Sequence, residues 1–314
     1  MIPFDPSFFE KEIRNDFEVD TTMKTCWAAE MELLFEIDCI CEKYDIPYFV
    51  CFGTLLGTIR HKGFIPWDDD IDIALKREDF ERLMAVLKDE LPKEYVISNP
   101  LTGENATEYW ASVRNGNTIS ISPERLERYH GCPFVVGIDI FQLDYLPREK
   151  KLEEEHVNKF HIVWTTVRLA KKKDRTEEED NKLTILLDEI ERVFGRGYDV
   201  TFDREDNDKV ISDLVVLANK IASSINADES DDIVSFIGYL GDKCKRNPKE
   251  YFDNIEWLPF ESIYVPVPKE WDKILTSFYK DYMVPQKFLQ EHDYPFYKTQ
   301  LEYLRQLYRE MMGE

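Results

Sequence analysis

Histidine and cysteine are scarce and scattered, and that excludes the commonest metal chemistry. There are five histidines, and the six cysteines, Cys26, Cys39, Cys41, Cys51, Cys132 and Cys244, include no CxxC pair. A structural zinc site therefore has no ligand set, and reduced thiols in a cytosolic protein are the simplest reading. Long apolar runs are missing too: nowhere does the chain keep the roughly 18 uninterrupted apolar residues of a membrane span. The opening MIPFDPSFFEKEI lacks the basic start and apolar core of a signal peptide. The expected location is cytoplasmic, without stable transmembrane insertion, and a membrane-attached acceptor is visited at the inner face. Basic charge is also short, with 40 Lys and Arg against 63 Asp and Glu and a net charge of -23. That balance excludes a nucleic-acid partner, because a phosphate backbone requires a basic surface. Any phosphorylated substrate meets a repulsive far field, so metal ions or basic side chains must reverse the sign locally.

What remains is 314 residues, 43 % of them hydrophobic, enough to bury a core without disulfides. The informative stretch is CFGTLLGTIRHKGFIPWDDDIDIAL, residues 51–75. Gly53 and Thr54 form a glycine-broken step after an apolar run, where backbone N–H groups can approach phosphate oxygens. Leu55, Leu56 and Ile59 suggest a short helix with its N-terminus toward the same anion. Arg60, His61 and Lys62 add a basic cluster. In Asp70-Ile71-Asp72-Ile73 the period is two, so both carboxylates share one strand face and both isoleucines the other. Side-by-side carboxylates repel unless a cation lies between them, and a hard oxygen site suits Mg²⁺ or Mn²⁺. An exposed edge strand gives the same pattern with no chemistry, and Asp68 and Asp69 by themselves read as a solvated loop. Together the elements point to a metal-dependent transferase acting on a phosphate ester.

Along the chain, Trp27, Met31, Leu34, Ile37, Cys41 and Tyr44 mark a core helix capped by Thr21 or Thr22 and ended by Asp45 and Pro47. Tyr48–Phe52, residues 95–97 and 109–113 and Phe134–Phe141 read as strands, and Glu78–Lys88 as a helix. Asp139 lies inside the last strand, where burial is costly without a cation or donors. Asp144, five residues on, is the runner-up for the same role and reads more simply as a cap near the strand end. Residues 148–226 alternate charge runs with helix-spaced apolar positions. Within that tract Lys171, Lys172 and Lys173 read as a solvated helix end. Residues 233–314 return to mixed structure, with extended pieces around Trp257 and Tyr264, helices at 271–278 and 300–312, and His292 among Tyr294, Phe296 and Tyr297. The expected organisation is a catalytic core at 1–147 with its N-terminal helix, a mainly helical insertion at 148–232, and a C-terminal mixed region at 233–314.

The segment GTLLGTIRHKGFIPWDDDIDI, residues 53–73, resembles the signature of the LicD family, bacterial phosphocholine transferases related here to fukutin-type proteins. SVRNGNT at 112–118, GIDIFQLD at 137–144, WLPFESIYVPVP at 257–268 and YKDYMVP at 279–285 continue the match in order. Thr54 stands where many relatives of the fold have serine, and Lys280 where the family commonly has glycine. The resemblance implies an α+β fold: a nucleotidyltransferase-like mixed sheet with a largely helical insertion and additional C-terminal elements. It makes Asp139 the third carboxylate beside Asp70 and Asp72, the three serving as catalytic and metal-binding residues. It makes Arg114 a phosphate ligand together with Gly53, Thr54 and Arg60 or Lys62.

The resemblance further implies a cytidine diphosphate donor, CDP-choline or a similar activated alcohol, and an acceptor hydroxyl on a surface glycan such as lipopolysaccharide or teichoic acid, or on its lipid-linked precursor. Choline cannot donate a hydrogen bond, so aromatic faces are its physical counterpart. Trp67, Trp257, Tyr282 and Tyr294 are the first candidates, with His61 and His292 as further substrate contacts. Two other functions use the same features: a nucleotidyltransferase acting on a sugar phosphate, small molecule or protein, and a catalytically silent glycan-binding scaffold.

Overall fold

The computed structural model describes residues 1–239, 246–285 and 295–312. In chain order its elements are β1 (Glu12–Arg14), β2 (Phe17–Val19), α1 (Thr21–Tyr44), β3 (Phe49–Val50), α2 (Phe52–His61), β4 (Ile71–Lys76), α3 (Arg77–Glu90), β5 (Val96–Ser98) and β6 (Ala111–Arg114). They continue with α4 (Pro123–Arg128), β7 (Gly137–Tyr145), α5 (Lys150–Lys171), α6 (Glu177–Tyr198), α7 (Asn207–Ala222), β8 (Asp232–Val234) and α8 (Phe236–Tyr239). The last are β9 (Asn247–Pro248), β10 (Ile255–Phe260), β11 (Ile263–Pro268), α9 (Trp271–Tyr279) and α10 (Lys298–Met312). The fold is α+β. No helix among the described residues is long and apolar enough to cross a membrane.

The main sheet runs β3-β4-β7-β6-β5, with β8 and β9 added at the far end of β7. Among the described strands only the central β4-β7 pair is parallel; its neighbours pair antiparallel. Period-two alternation divides the sheet into two faces. Ile71, Ile73 and Leu75 on β4 and Ile138 and Ile140 on β7 are fully buried on the back face, with α1 and α3 in one core. That burial fixes the register, because a one-residue slip would turn the isoleucines outward and the aspartates into the core.

Helix α1 starts one or two residues earlier than a cap at Thr21 or Thr22 would place it. Asp20, not Thr21 or Thr22, is the N-cap, its carboxylate accepting from Met23 N at 2.8 Å. Asp45 in the left-handed conformation ends the helix. Strand β7 also differs from the expected span, since it begins at Gly137 and continues to Tyr145. Asp144 is therefore inside the strand, on the back face, and caps nothing.

Asp144 is fully buried and receives Arg77 Nε at 2.6 Å and the Tyr109 hydroxyl. Arg77 Nη1 reaches Asn219 Oδ1 at 3.3 Å, and Gln142 Nε2 donates to the Tyr109 carbonyl at 2.6 Å. This network binds β7, the first residue of α3, the segment before β6, and α7. Around it, α5, α6 and α7 share a second core containing Phe160, Val163, Leu187, Ile190, Leu214 and Leu217. Breaking one partner of a buried ion pair costs about 3 to 5 kcal/mol, whereas a matched apolar replacement of both is near neutral. Arg77→Met and Asp144→Leu are each expected to lower the urea midpoint by that equivalent, and the double variant to recover much of the loss.

Candidate functional site

The front face of the sheet carries the acids. Asp72 on β4 and Asp139 on β7 are register partners across the parallel pair, and Ser112 on β6 is opposite Asp139. Asp70 lies one residue before β4, and Asp68 and Asp69 precede it. The ligand oxygens of Asp68, Asp69 and Asp70 approach within 4.8 Å of one another. Asp70 joins the two groups, since its charge raises the pKa of both Asp72 and Asp139.

Burial pushes the Asp72 carboxyl well above the usual carboxylate range, and Asp70, Asp139 and Asp68 add to that. Asp139 is pushed up to about 7 by burial and then by Asp70; the nearby Trp110 indole and Arg114 oppose the rise. Among the described residues Arg114 is the one cation that opposes the rise at Asp139, and none opposes it at Asp72. A hard divalent cation fits this set, because an oxygen-ligated ion relieves the repulsion that holds these protons on.

A sixth carboxyl group escaped the sequence reading. Glu30 on α1 is 2 % exposed, and its Oε2 has no hydrogen-bond partner among the described residues. Burial and then Asp69 and Asp70 raise its pKa well above the ordinary value. The signal was available: Glu30 falls between Trp27 and Leu34 at helical spacing, on the stripe that packs inward. Asp69 departs from the solvated-loop expectation, being 1 % exposed and accepting from Phe296 N at 2.6 Å.

The α2 N-terminus positions these acids. Helix α2 starts at Phe52, so Gly53 is in its first turn and not in a preceding loop. A Cβ on Gly53 would lie 2.5 Å from Asp68 Oδ2, so the missing side chain is the space the carboxylate occupies. Thr54 Oγ1 accepts from Asp72 N at 2.8 Å and ties the helix to the start of β4. Trp27 Nε1 holds the Asp68 carbonyl at 3.1 Å.

The expected basic contacts divide. Arg114 is exposed at the end of β6 and packs over Gly137, on the Asp139 face. Arg60, His61 and Lys62 lie at the opposite end of α2 from Gly53, about 10 Å along the axis. Arg60 Nη1 donates to the Tyr282 carbonyl at 2.8 Å and its Nε to His61 at 2.9 Å. Burial, followed by Arg60 and Arg14, lowers the His61 pKa to about 4, leaving the ring neutral near pH 7. Lys62 is exposed and caps the helix.

The expected aromatic contacts do not converge. Trp67 packs edge-on to Phe17 and His61. The Tyr282 hydroxyl is committed to Asp272, and burial with that bond pushes its pKa up to about 12. Trp257 lines a different groove with Asp38, Glu42, Asp45 and Pro47, at the other end of β3. His292 and Tyr294 lie outside the described residues. The aromatic residues beside the acids are others: Trp110 stacks on Phe141 at 5.3 Å, and Phe52 meets Phe141 edge-on at 4.9 Å.

Asp139 generates a pH prediction. Its folded pKa lies above the ordinary value of 3.8, so its stabilising contribution is complete below that value and is lost as pH rises through about 7. Asp72 acts in the same direction. The metal-free protein is expected to melt at lower temperature at pH 8 than at pH 5, and Asp139→Asn to flatten that slope in calorimetric scans. An equal slope in the variant would count against the assignment.

Comparison with known proteins agrees with this geometry. Residues 45–141, from the end of α1 through the first half of β7, match the family described as LicD/FKTN/FKRP, nucleotidyltransferase domain. The chain is 27 % identical over 256 residues to the lipopolysaccharide cholinephosphotransferase LicD of Haemophilus influenzae, covering 81 % of this chain and 88 % of that protein. Shorter stretches match uncharacterised proteins of Rickettsia prowazekii, 43 % over 56 residues, and Rickettsia typhi, 45 % over 49. These cover 18 % and 15 % of this chain, and 21 % and 16 % of those proteins. Residues 45–141 are thus similar to the LicD-type nucleotidyltransferase domain, and the likeness to the Haemophilus influenzae protein extends over most of both chains.

Proposed function

We propose that this protein transfers phosphocholine, or a closely similar phosphorylated alcohol, from a cytidine diphosphate donor to a hydroxyl of a surface glycan. The observation that carries the reading is the in-register pair Asp72 and Asp139 on the open sheet face. Arg114 stands beside them over Gly137, and the likeness to the Haemophilus influenzae cholinephosphotransferase extends over most of both chains.

In the proposed reaction the acceptor oxygen attacks the phosphorus bearing the alcohol, a new P–O bond forms, and cytidine monophosphate leaves with the electrons of the broken bridge bond. Asp70, Asp72 and Asp139 are proposed to hold Mg²⁺ or Mn²⁺, with Asp68 and Asp69 beside them. When bound, the ion supplies charge neutralisation for the phosphate oxygens. Arg114 donates to those oxygens from the other side of the row, where a planar guanidinium suits paired acceptors. Thr54 keeps Asp72 in place through its backbone, and Trp110 orients Asp139. Orientation of this kind matters because phosphoryl transfer depends chiefly on positioning and electrostatics.

Purified protein with Mg²⁺, a glycan extract and labelled donors is expected to release cytidine monophosphate and leave labelled phosphocholine on the glycan. Asp72→Asn is expected to lower kcat at least a hundredfold with an unchanged far-UV dichroism spectrum. Pyrophosphate release from a nucleoside triphosphate, with the nucleotide retained on the acceptor, would establish the nucleotidyltransferase alternative instead. No turnover with any activated donor would favour the scaffold.

A further inference from the structure

The front face also carries a group of aromatic rings that the core does not fully bury. Trp110 and Phe141 are neighbours across β6 and β7 and stack at 5.3 Å with an interplanar angle of 26°. Phe52 meets Phe141 edge-on at 4.9 Å, and Phe278 meets Phe52 at 5.9 Å. All four rings remain partly exposed. On the back face, apolar residues at comparable positions are fully buried.

Two features hold this wall in place. Tyr109 turns inward to the Asp144 network, and Gln142 Nε2 and Asn219 Nδ2 hold its carbonyl at 2.6 and 3.2 Å. By alternation Trp110 must turn outward, where its indole is close enough to Asp139 to oppose the rise of its pKa. Phe52 adopts a φ of +44°, a left-handed conformation that is unfavourable for a bulky side chain. Such strain persists only where surrounding structure over-determines it.

We infer that Trp110, Phe141 and Phe52 form the subsite for a quaternary ammonium group carried two carbons from the transferred phosphate. The inference rests on the transfer reading above and assigns residues to its choline end. Charge does not oppose a cation: Glu108 is ion-paired with Lys171, and Asp139 shares the sheet face with Phe141. A methylated ammonium takes no hydrogen bond and is held by aromatic faces. Distance favours the same occupant. Phe141 is two residues beyond Asp139 on the same strand face, about 7 Å along β7. That matches the reach of a two-carbon spacer and is too short for a base separated from the reacting phosphorus by a second phosphate and a ribose. The groove at Trp257 is also aromatic and acidic. Its Ile46 lies five residues from Cys51, about 16 Å along the extended chain, beyond the spacer's reach.

The test is calorimetric titration with Mg²⁺ present, using phosphocholine and 3,3-dimethylbutyl phosphate, which has the same shape with carbon in place of the charged nitrogen. The wild-type protein is expected to prefer phosphocholine about tenfold. Phe141→Leu should abolish that preference, Trp257→Leu should retain it, and neither should change the affinity for cytidine monophosphate. Equal affinity of the wild type for the two ligands, or no binding of either, overturns the subsite, and this comparison stands even where the variant does not fold. A preference retained in folded Phe141→Leu, or lost cytidine monophosphate binding in that variant, overturns it as well. Choline preference without transfer in the product assay would retire the transfer reading and leave the subsite standing.

Discussion

Mutual repulsion among carboxylates is the constraint on which this structure depends. Asp72 and Asp139 are side by side on parallel strands, Asp70 bears on both, and Glu30 is buried beneath the same cluster. An arrangement of this kind relaxes unless the backbone is held from elsewhere. Here the isoleucines of β4 and β7 hold it, because moving either strand by one residue would exchange Ile71 and Ile73 with the aspartates. The acid face is therefore maintained by the apolar face behind it.

Several smaller contacts serve the same end. Thr54 takes the Asp72 N–H, Gly53 leaves room for the Asp68 carboxylate, and Trp27 fixes the Asp68 carbonyl. Behind β7 the Arg77–Asp144 pair fastens α3, α7 and the segment before β6 to the sheet. It thereby connects the helices of the second core to the position of Trp110. A substitution in α7 at Asn219 can thus reach the front face without touching it, by removing one of the two amides that hold the Tyr109 carbonyl.

Periodicity made individual helices and strands legible, whereas the α+β architecture was implied by the resemblance of residues 53–73 to the LicD signature. The stripe from Trp27 to Tyr44, the alternation at 70–73 and the helix from Trp271 each have one dominant spacing. What the sequence concealed depends on partners distant in the chain. Asp144 looks like a cap beside Leu143 until Arg77 and Tyr109 are brought to it. Asp69 looks solvated until Phe296 arrives from 227 positions away. Trp257 and Tyr282 are aromatic residues within the matching segments of the sequence, whereas Trp110 and Phe141 are united only by the β6-β7 register. Thr21 and Thr22 were reasonable caps by type, but Asp20 has the free extended backbone that a cap needs.

The central claim is that Asp72 and Asp139 together form the cation site for phosphate transfer. Anomalous scattering from a crystal soaked in Mn²⁺ tests it most directly. The account predicts a peak about 2.1 Å from carboxylate oxygens of both residues, on the Arg114 side of the sheet, with Asp70 in contact. A peak held by Asp68 and Asp69 alone, or no peak at saturating Mn²⁺, would contradict it.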